Sequence, residues 1–244
     1  MSKRIFSLFF SSFIALLLVV PVVNAAPPDT HLKLLKKNTE IKDQTELINR
    51  AKNNISDLPL EEQVSTKEIT SSSKKKLLYV TQYKTAQLLT EEQDTTNDNI
   101  ISTYALTTLA SYSASKYNSG WDKTSSVKAE STIYVTYVYD SHGVKYWKSA
   151  GVSGGWGVYA SGISVTNKKV IYGVYGVPEG GGLTQVSETK YPTGSTFEYT
   201  SPTSWKAVLP TATGQLAPKV GVTTSATLSG FGDTWSLELV NFFA

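Results

Sequence analysis

Between Val127 and Tyr139 the sequence reads Val-Lys-Ala-Glu-Ser-Thr-Ile-Tyr-Val-Thr-Tyr-Val-Tyr, and this stretch constrains the fold more than any other. Val127, Ala129, Ile133, Val135, Tyr137 and Tyr139 share one parity; Lys128, Glu130, Thr132, Tyr134, Thr136 and Val138 share the other. Successive side chains of an extended chain point to opposite faces, so this is a strand with one apolar and one largely polar face. It holds no Gly or Pro, and its β-branched and aromatic residues suit a pleated surface. Such a strand must lay its apolar face on a second layer, which predicts a two-layer β domain.

Strand patterns separated by turn residues continue to the end of the sequence. Asp140-Ser-His-Gly143 supplies turn chemistry and Val144 to Lys148 starts back. Gly154-Gly155 breaks the pattern before a short strand at Trp156 to Tyr159. Ile163 to Thr166 and Val170 to Val177 flank Asn167-Lys-Lys169, a predicted tight hairpin, and Pro178-Glu-Gly-Gly-Gly182 is a loop. Further strands are predicted at Gln185 to Lys190, Ser195 to Thr200, Trp205 to Leu209, Ala217 to Ser229 and Trp235 to Phe242. The last two form a closing hairpin across Gly230-Phe-Gly-Asp233. The expected class is all-β, a two-layer antiparallel sandwich, Ig-like or jelly-roll-like, over residues 100 to 244, with a Greek-key barrel as the other possibility.

The first hundred residues differ in composition. All 17 glycines and all 5 tryptophans lie at Gly120 or beyond. Residues 1 to 25 have the form of a secretory signal: Lys3 and Arg4, an apolar run from Ile5 to Val20, then Pro21 and Val23-Asn24-Ala25. Cleavage after Ala25 and a secreted, extracellular fate are expected. No later stretch approaches the ~18 apolar residues of a membrane span, so no stable transmembrane insertion is expected. Residues 26 to 76 form a polar leader. Within it Asp43-Gln-Thr-Glu46 caps a short amphipathic helix from Gln44 to Asn54, and Ser71-Ser-Ser-Lys-Lys-Lys76 is a linker. The leader is a solvated arm, a pro-segment or a helix docked on the domain behind it. Residues 77 to 99 are a connecting segment. Beyond it Ile101, Tyr104, Ala105, Leu109 and Tyr112 fit helical spacing, but the Ser, Thr and Tyr that crowd Ser102 to Ser115 favour a strand near Thr103 to Ser113.

The sequence has no cysteine, which removes disulfides, thiolate catalysis and Cys-ligated metals, and in an exported chain this leans towards a bacterial source. Its 2 histidines, His31 and His142, stand in the leader and in a turn, so neither a His-rich metal site nor a His relay is expected. Gly151-Val-Ser-Gly-Gly155 matches the pattern of a serine nucleophile elbow. A strand succeeds it where that elbow needs a helix, and no histidine comes after Ser153, so it is a glycine-rich turn. Basic and acidic residues are nearly balanced over 120 to 244 with no basic stripe, so no nucleic-acid partner is expected. No phosphate loop or βαβ alternation occurs, and no cofactor or metal is expected.

Two constellations could carry function. Glu130, Glu198 and Glu238 sit in strand patterns and could face one side, as a carbohydrate-active hydrolase with paired carboxylates requires. Tyr146, Trp147, Trp156, Tyr159, Tyr172 and Tyr175 cluster within a short stretch. Rings exposed on a sheet stack on sugar faces or anchor a protein partner, whereas rings on the inner parity fill the core.

At Ser119-Gly-Trp-Asp122, Ser126-Val-Lys-Ala129, Ser131-Thr-Ile-Tyr134, Val152-Ser-Gly-Gly-Trp156 and Lys168-Lys-Val-Ile-Tyr-Gly173 the chain resembles small exported proteins of Gram-positive bacteria. They are β-rich and cysteine-poor. The resemblance implies export and a β fold over residues 119 to 244, and it brings no catalytic residue to carry over.

The reading these features favour is a secreted, non-catalytic β-sandwich that binds a cell-wall or other extracellular polymer, or a protein. Its contacts would be the exposed rings among Trp147, Trp156, Tyr159, Tyr172 and Tyr175. The hydrolase is the alternative. A third reading is a toxin or bacteriocin-like factor that inserts a Thr/Ser-rich hairpin such as Gly221 to Ser229 into membranes.

Overall fold

A computed structural model describes residues 31–74, 76–113, 127–230 and 232–243. The export segment expected over residues 1 to 25, with its cleavage after Ala25, and the Ser119–Asp122 motif lie outside the described residues. The described residues are all-β apart from one helix and one short helical turn, and their antiparallel sheets form a curled, sandwich-like pair of layers.

The larger layer contains β1 (Leu32–Lys37), β2 (Val64–Thr70), β3 (Leu77–Asp94), β4 (Ile100–Ser113), β5 (Val127–Tyr139), β6 (Lys145–Val158) and β9 (Thr196–Thr200). Its order is β1-β3-β4-β5-β6-β9, and β2 pairs with the other end of β3. The smaller layer contains β7 (Ser164–Gly176), β8 (Thr184–Lys190), β10 (Lys219–Gly230) and β11 (Asp233–Phe243), in the order β11-β10-β7-β8.

The core forms where the inward parities of the two layers meet. From β5 come Val127, Ala129, Ile133, Val135 and Tyr137, as the alternation predicts. Opposite them lie Val170, Tyr172 and Val174 of β7, Val220, Val222, Ala226 and Leu228 of β10, and Trp235, Leu237, Leu239 and Phe243 of β11. The outer face of the large layer is not wholly solvated. The helix α1 (Gln44–Lys52) docks on this face and buries Leu47, Ile48 and Ala51 against Tyr83 and Leu109. Asp43 caps it, its carboxylate accepting from the Glu46 amide at 2.8 Å.

The sheet begins earlier than the sequence suggests. Residues 77 to 99, expected as a connector, supply the 18-residue strand β3, and residues 31 onward belong to one compact unit with the rest. The physical reason is that β3 serves two partners. Leu78, Val80 and Ala86 join the core between the layers, while Tyr83 packs under α1, so neither parity is uniformly apolar. Ser71 to Ser73 are likewise no free linker, because Ser72 and Ser73 hydrogen-bond Asp233 at the start of β11.

Three local readings change. The hairpin expected at Asn167-Lys-Lys169 is a bulge within one continuous strand: Asn167 has φ 50° and the β10 register shifts between Ser225 and Thr227. Gly154-Gly155 does not interrupt β6. These glycines let neighbouring backbone approach, and a Cβ at Gly154 would lie 2.2 Å from the Glu130 carbonyl oxygen. Trp205 to Leu209 forms no strand, only bridges from Val208 to Trp147 and Pro178, because Pro202 and Pro210 bracket it.

Candidate binding surface

The five aromatic candidates divide by parity and by layer. Trp156 and Tyr172 are buried in a ladder of rings that closes the sandwich beside β9. Trp156 meets Phe197 at 5.6 Å, Phe197 stacks on Tyr199 at 5.8 Å, and Tyr199 stacks on Tyr172 at 5.9 Å with only 8° between their planes. Trp205 completes it at 5.4 Å from Tyr172. The Tyr172 hydroxyl donates to Glu188 at 2.8 Å, and Lys190 pairs with the same carboxylate at 2.8 Å. Burial, and then that hydrogen bond, push the Tyr172 hydroxyl well above the usual phenol range. These rings hold the layers together.

Tyr159 stands apart, 54% exposed at the end of β6, with the Lys128 ammonium 4.5 Å from its ring centre. Tyr175 is half-buried on the outer face of the small layer, its hydroxyl donating to the Gln215 carbonyl. Trp147 is buried edge-on against Phe243, with centroids 5.9 Å apart, yet it lines a cleft.

The outer face of the small layer carries a trough of about 470 Å³. Its floor is one row of the sheet, in which Ser187, Gly173, Gly221 and Phe242 stand side by side on four strands. Gly173 and Gly221 face each other directly, so the middle of that row has no side chain. Their backbone geometry is ordinary for a strand. A Cβ at Gly173 would lie 2.4 Å from the Val186 carbonyl oxygen, and one at Gly221 would lie 2.9 Å from the Phe242 Cβ. One wall is the row Gln185, Tyr175 and Lys219; the other is Ile171, Thr223 and Val240. Three inter-strand steps make the row roughly 14 Å long. Phe242 closes one end.

Phe242 also borders a second hollow, a cleft of about 600 Å³ at the end of the sandwich. Leu58, Leu60, Leu106, Tyr137, Trp147 and Phe243 supply its apolar lining, with Glu61, Glu62 and Lys84 as its charged members. Lys84 occupies the core parity of β3, two residues from Ala86, and so projects where the layers part. Burial lowers its pKa, and Glu61 partly offsets this. Its ammonium donates to the Phe242 carbonyl at 3.3 Å and sits 5.3 Å from the Phe242 ring centre. Trough and cleft therefore share one ring. Tyr175 lines the trough and Trp147 lines the cleft.

Sequence reasoning missed Phe242 and Lys84. Phe242 was legible in principle, since it shares the parity of Ser236, Glu238 and Val240 and not that of Trp235, Leu237 and Leu239. Nothing local marks Lys84, because its meaning depends on β11, at the far end of the chain.

The carboxylate set is only partly assembled. Glu130 and Glu198 line a small pocket of about 100 Å³ with Glu40, Tyr134 and Ser153 on the outer face of the large layer. Glu238 lies on the outer face of the other layer, opposite Ser225. In that pocket Glu130 accepts from the Gln44 side chain at 2.7 Å. Tyr134 donates to Glu40 at 2.8 Å, and its hydroxyl lies 3.2 Å from Ser153. Burial, together with the Glu40 contact, pushes Tyr134 up to about 12. Ser153 thus has a tyrosine and no histidine beside it. His142 is exposed in its turn, where Asp140 accepts from the His142 and Val144 amides at 2.8 and 2.9 Å. Among the described residues no group of three or more His, Asp or Glu is placed to hold a metal ion. No helix among them is long and apolar enough to cross a membrane. The Gly221–Ser229 segment is not a free hairpin: it is an inner strand, paired with β7 and β11 along its length.

No protein-family profile, curated protein or solved structure matches the chain.

Proposed function

We propose that the protein is a secreted, non-catalytic β-sandwich module that binds a cell-envelope or other extracellular polymer. The observation that carries this reading is the trough: a side-chain-free floor at Gly173 and Gly221, walled by Tyr175 and closed by Phe242. A flat, extended chain can lie on such a floor with its faces against the rings. The signal-like residues 1 to 25 support export, and the lack of cysteine accords with a chain stabilised by packing alone.

Co-sedimentation with insoluble wall and polysaccharide preparations tests the reading. Tyr175→Ala and Phe242→Ala should each reduce retention by about tenfold, while Tyr159→Ala, on another face, leaves it unchanged. Equal retention of all three variants would refute the site.

A second reading, a hydrolase acting on carbohydrate, draws on the common pocket of Glu130 and Glu198. At about 100 Å³ it falls below the roughly 300–1,000 Å³ of usual ligand sites. Glu130→Gln with Glu198→Gln abolishes polymer cleavage if this reading is right and leaves polymer binding intact if the first is.

A further inference from the structure

Two ammonium groups converge on the ring that ends the trough. Lys84 stands 5.3 Å from the centre of Phe242 and Lys219 stands 6.0 Å from it. Among the described residues neither lysine is in an ion pair with a carboxylate, and the Lys84 ammonium donates to the Phe242 carbonyl. Among the described residues Lys219 is the single charged one that lines the trough, and no carboxylate lines it. Lys84 reaches the ring from the neighbouring cleft, which Glu61 and Glu62 also border. Glu238, the carboxylate on the same face of β11, is four residues from Phe242, or roughly 13 Å along the strand.

Resting on the reading of the trough as a polymer site, we propose that its ligand is an anionic polysaccharide. Its sugar faces lie against Tyr175 and Phe242, and its acidic groups meet Lys84 and Lys219. Two cations near one ring make its surroundings positive, which favours an anionic group there over a neutral or cationic one. Lys84 gains further: its partial burial disfavours the charged form, and a bound carboxylate restores it. A neutral glycan uses the rings and brings neither ammonium group an opposite charge. A cationic polymer meets them as like charges.

Binding of polygalacturonate, alginate and hyaluronate to the full chain, each compared with its methyl-esterified form, separates charge from ring stacking on one backbone. The wild type should bind at least one acidic form more tightly than its ester, and that preference should fade as salt rises. Lys84→Gln with Lys219→Gln should weaken the acidic form by about tenfold and leave the ester unchanged. Lys219 is exposed, so Lys219→Glu gives the same selective loss without touching the interior. If acid and ester bind alike and neither variant discriminates them, the charge inference is wrong and the polymer module stands. If the wild type binds no form of any of the three, both fall.

Discussion

The side-chain amide of Asn241 donates across the sandwich to the carbonyl of Leu106 at 2.9 Å. The same nitrogen reaches the Ser131 carbonyl, also at 2.9 Å. Asn241 is wholly buried on the inward parity of β11, so it ties the edge strand of the small layer to β4 and β5 of the large one. Phe242, its neighbour, points the other way and is thereby fixed over the trough. Asn241→Leu should lower unfolding free energy by about 1–3 kcal/mol, because it strips a donor from buried carbonyls. Asn241→Asp should cost more, since it sets a carboxylate against them without a partner. Chemical denaturation of the two variants measures this, and a neutral Asn241→Asp would rule out the tie.

The ring ladder beside β9 makes a second stability prediction. Phe197 lies between Trp156 and Tyr199, and Phe197→Ala should cost about 3–5 kcal/mol by cavity formation. Tyr159→Ala, at an exposed ring, should stay within about 0.5 kcal/mol of wild type. Similar losses for both would mean the ladder does not hold the layers.

Single strands of this fold are legible in the sequence where each face meets one environment. The Val127–Tyr139 alternation gives a complete strand because that condition holds along most of its length. The Asp43 cap gives the helix start from equally local chemistry. Tyr172 and Tyr175 lie on opposite parities of one strand, so the sequence shows that they part company. It does not show that Tyr199, from the other layer, covers Tyr172 and leaves Tyr175 outside. Strand β3 is hidden by its double role, and Lys84 by its dependence on a partner 158 residues away.

Tyr134 should titrate late. Its pKa is raised to about 12, mainly by burial, against about 10 for an unperturbed phenol. The unfolded chain therefore loses this proton first, and stability present below pH ~10 declines as pH rises towards ~12. Ultraviolet titration of wild type against Tyr134→Phe isolates the group. A difference that titrates near 10 would contradict the burial of this hydroxyl.

Asp233 makes the opposite case. The Ser73 hydroxyl, and then the Thr234 amide and neighbouring serines, hold its carboxyl well below the usual carboxylate range. Its contribution is complete above the unfolded value of ~4 and is lost as pH falls through the folded value. The melting-temperature gap between wild type and Asp233→Asn should shrink as pH is lowered from about 5 to about 2. A gap independent of pH would show that the serine clasp contributes nothing through charge.

Amide chemical-shift mapping of the isotope-labelled chain, titrated with an acidic polysaccharide that it retains, bears most directly on the trough as the binding site. Shifts should concentrate at Gly173, Tyr175, Gly221 and Phe242, with little change around Glu130, Ser153 and Glu198. Shifts centred on that second group, with the trough silent, would contradict the account and turn attention to the acidic pocket under Gln44.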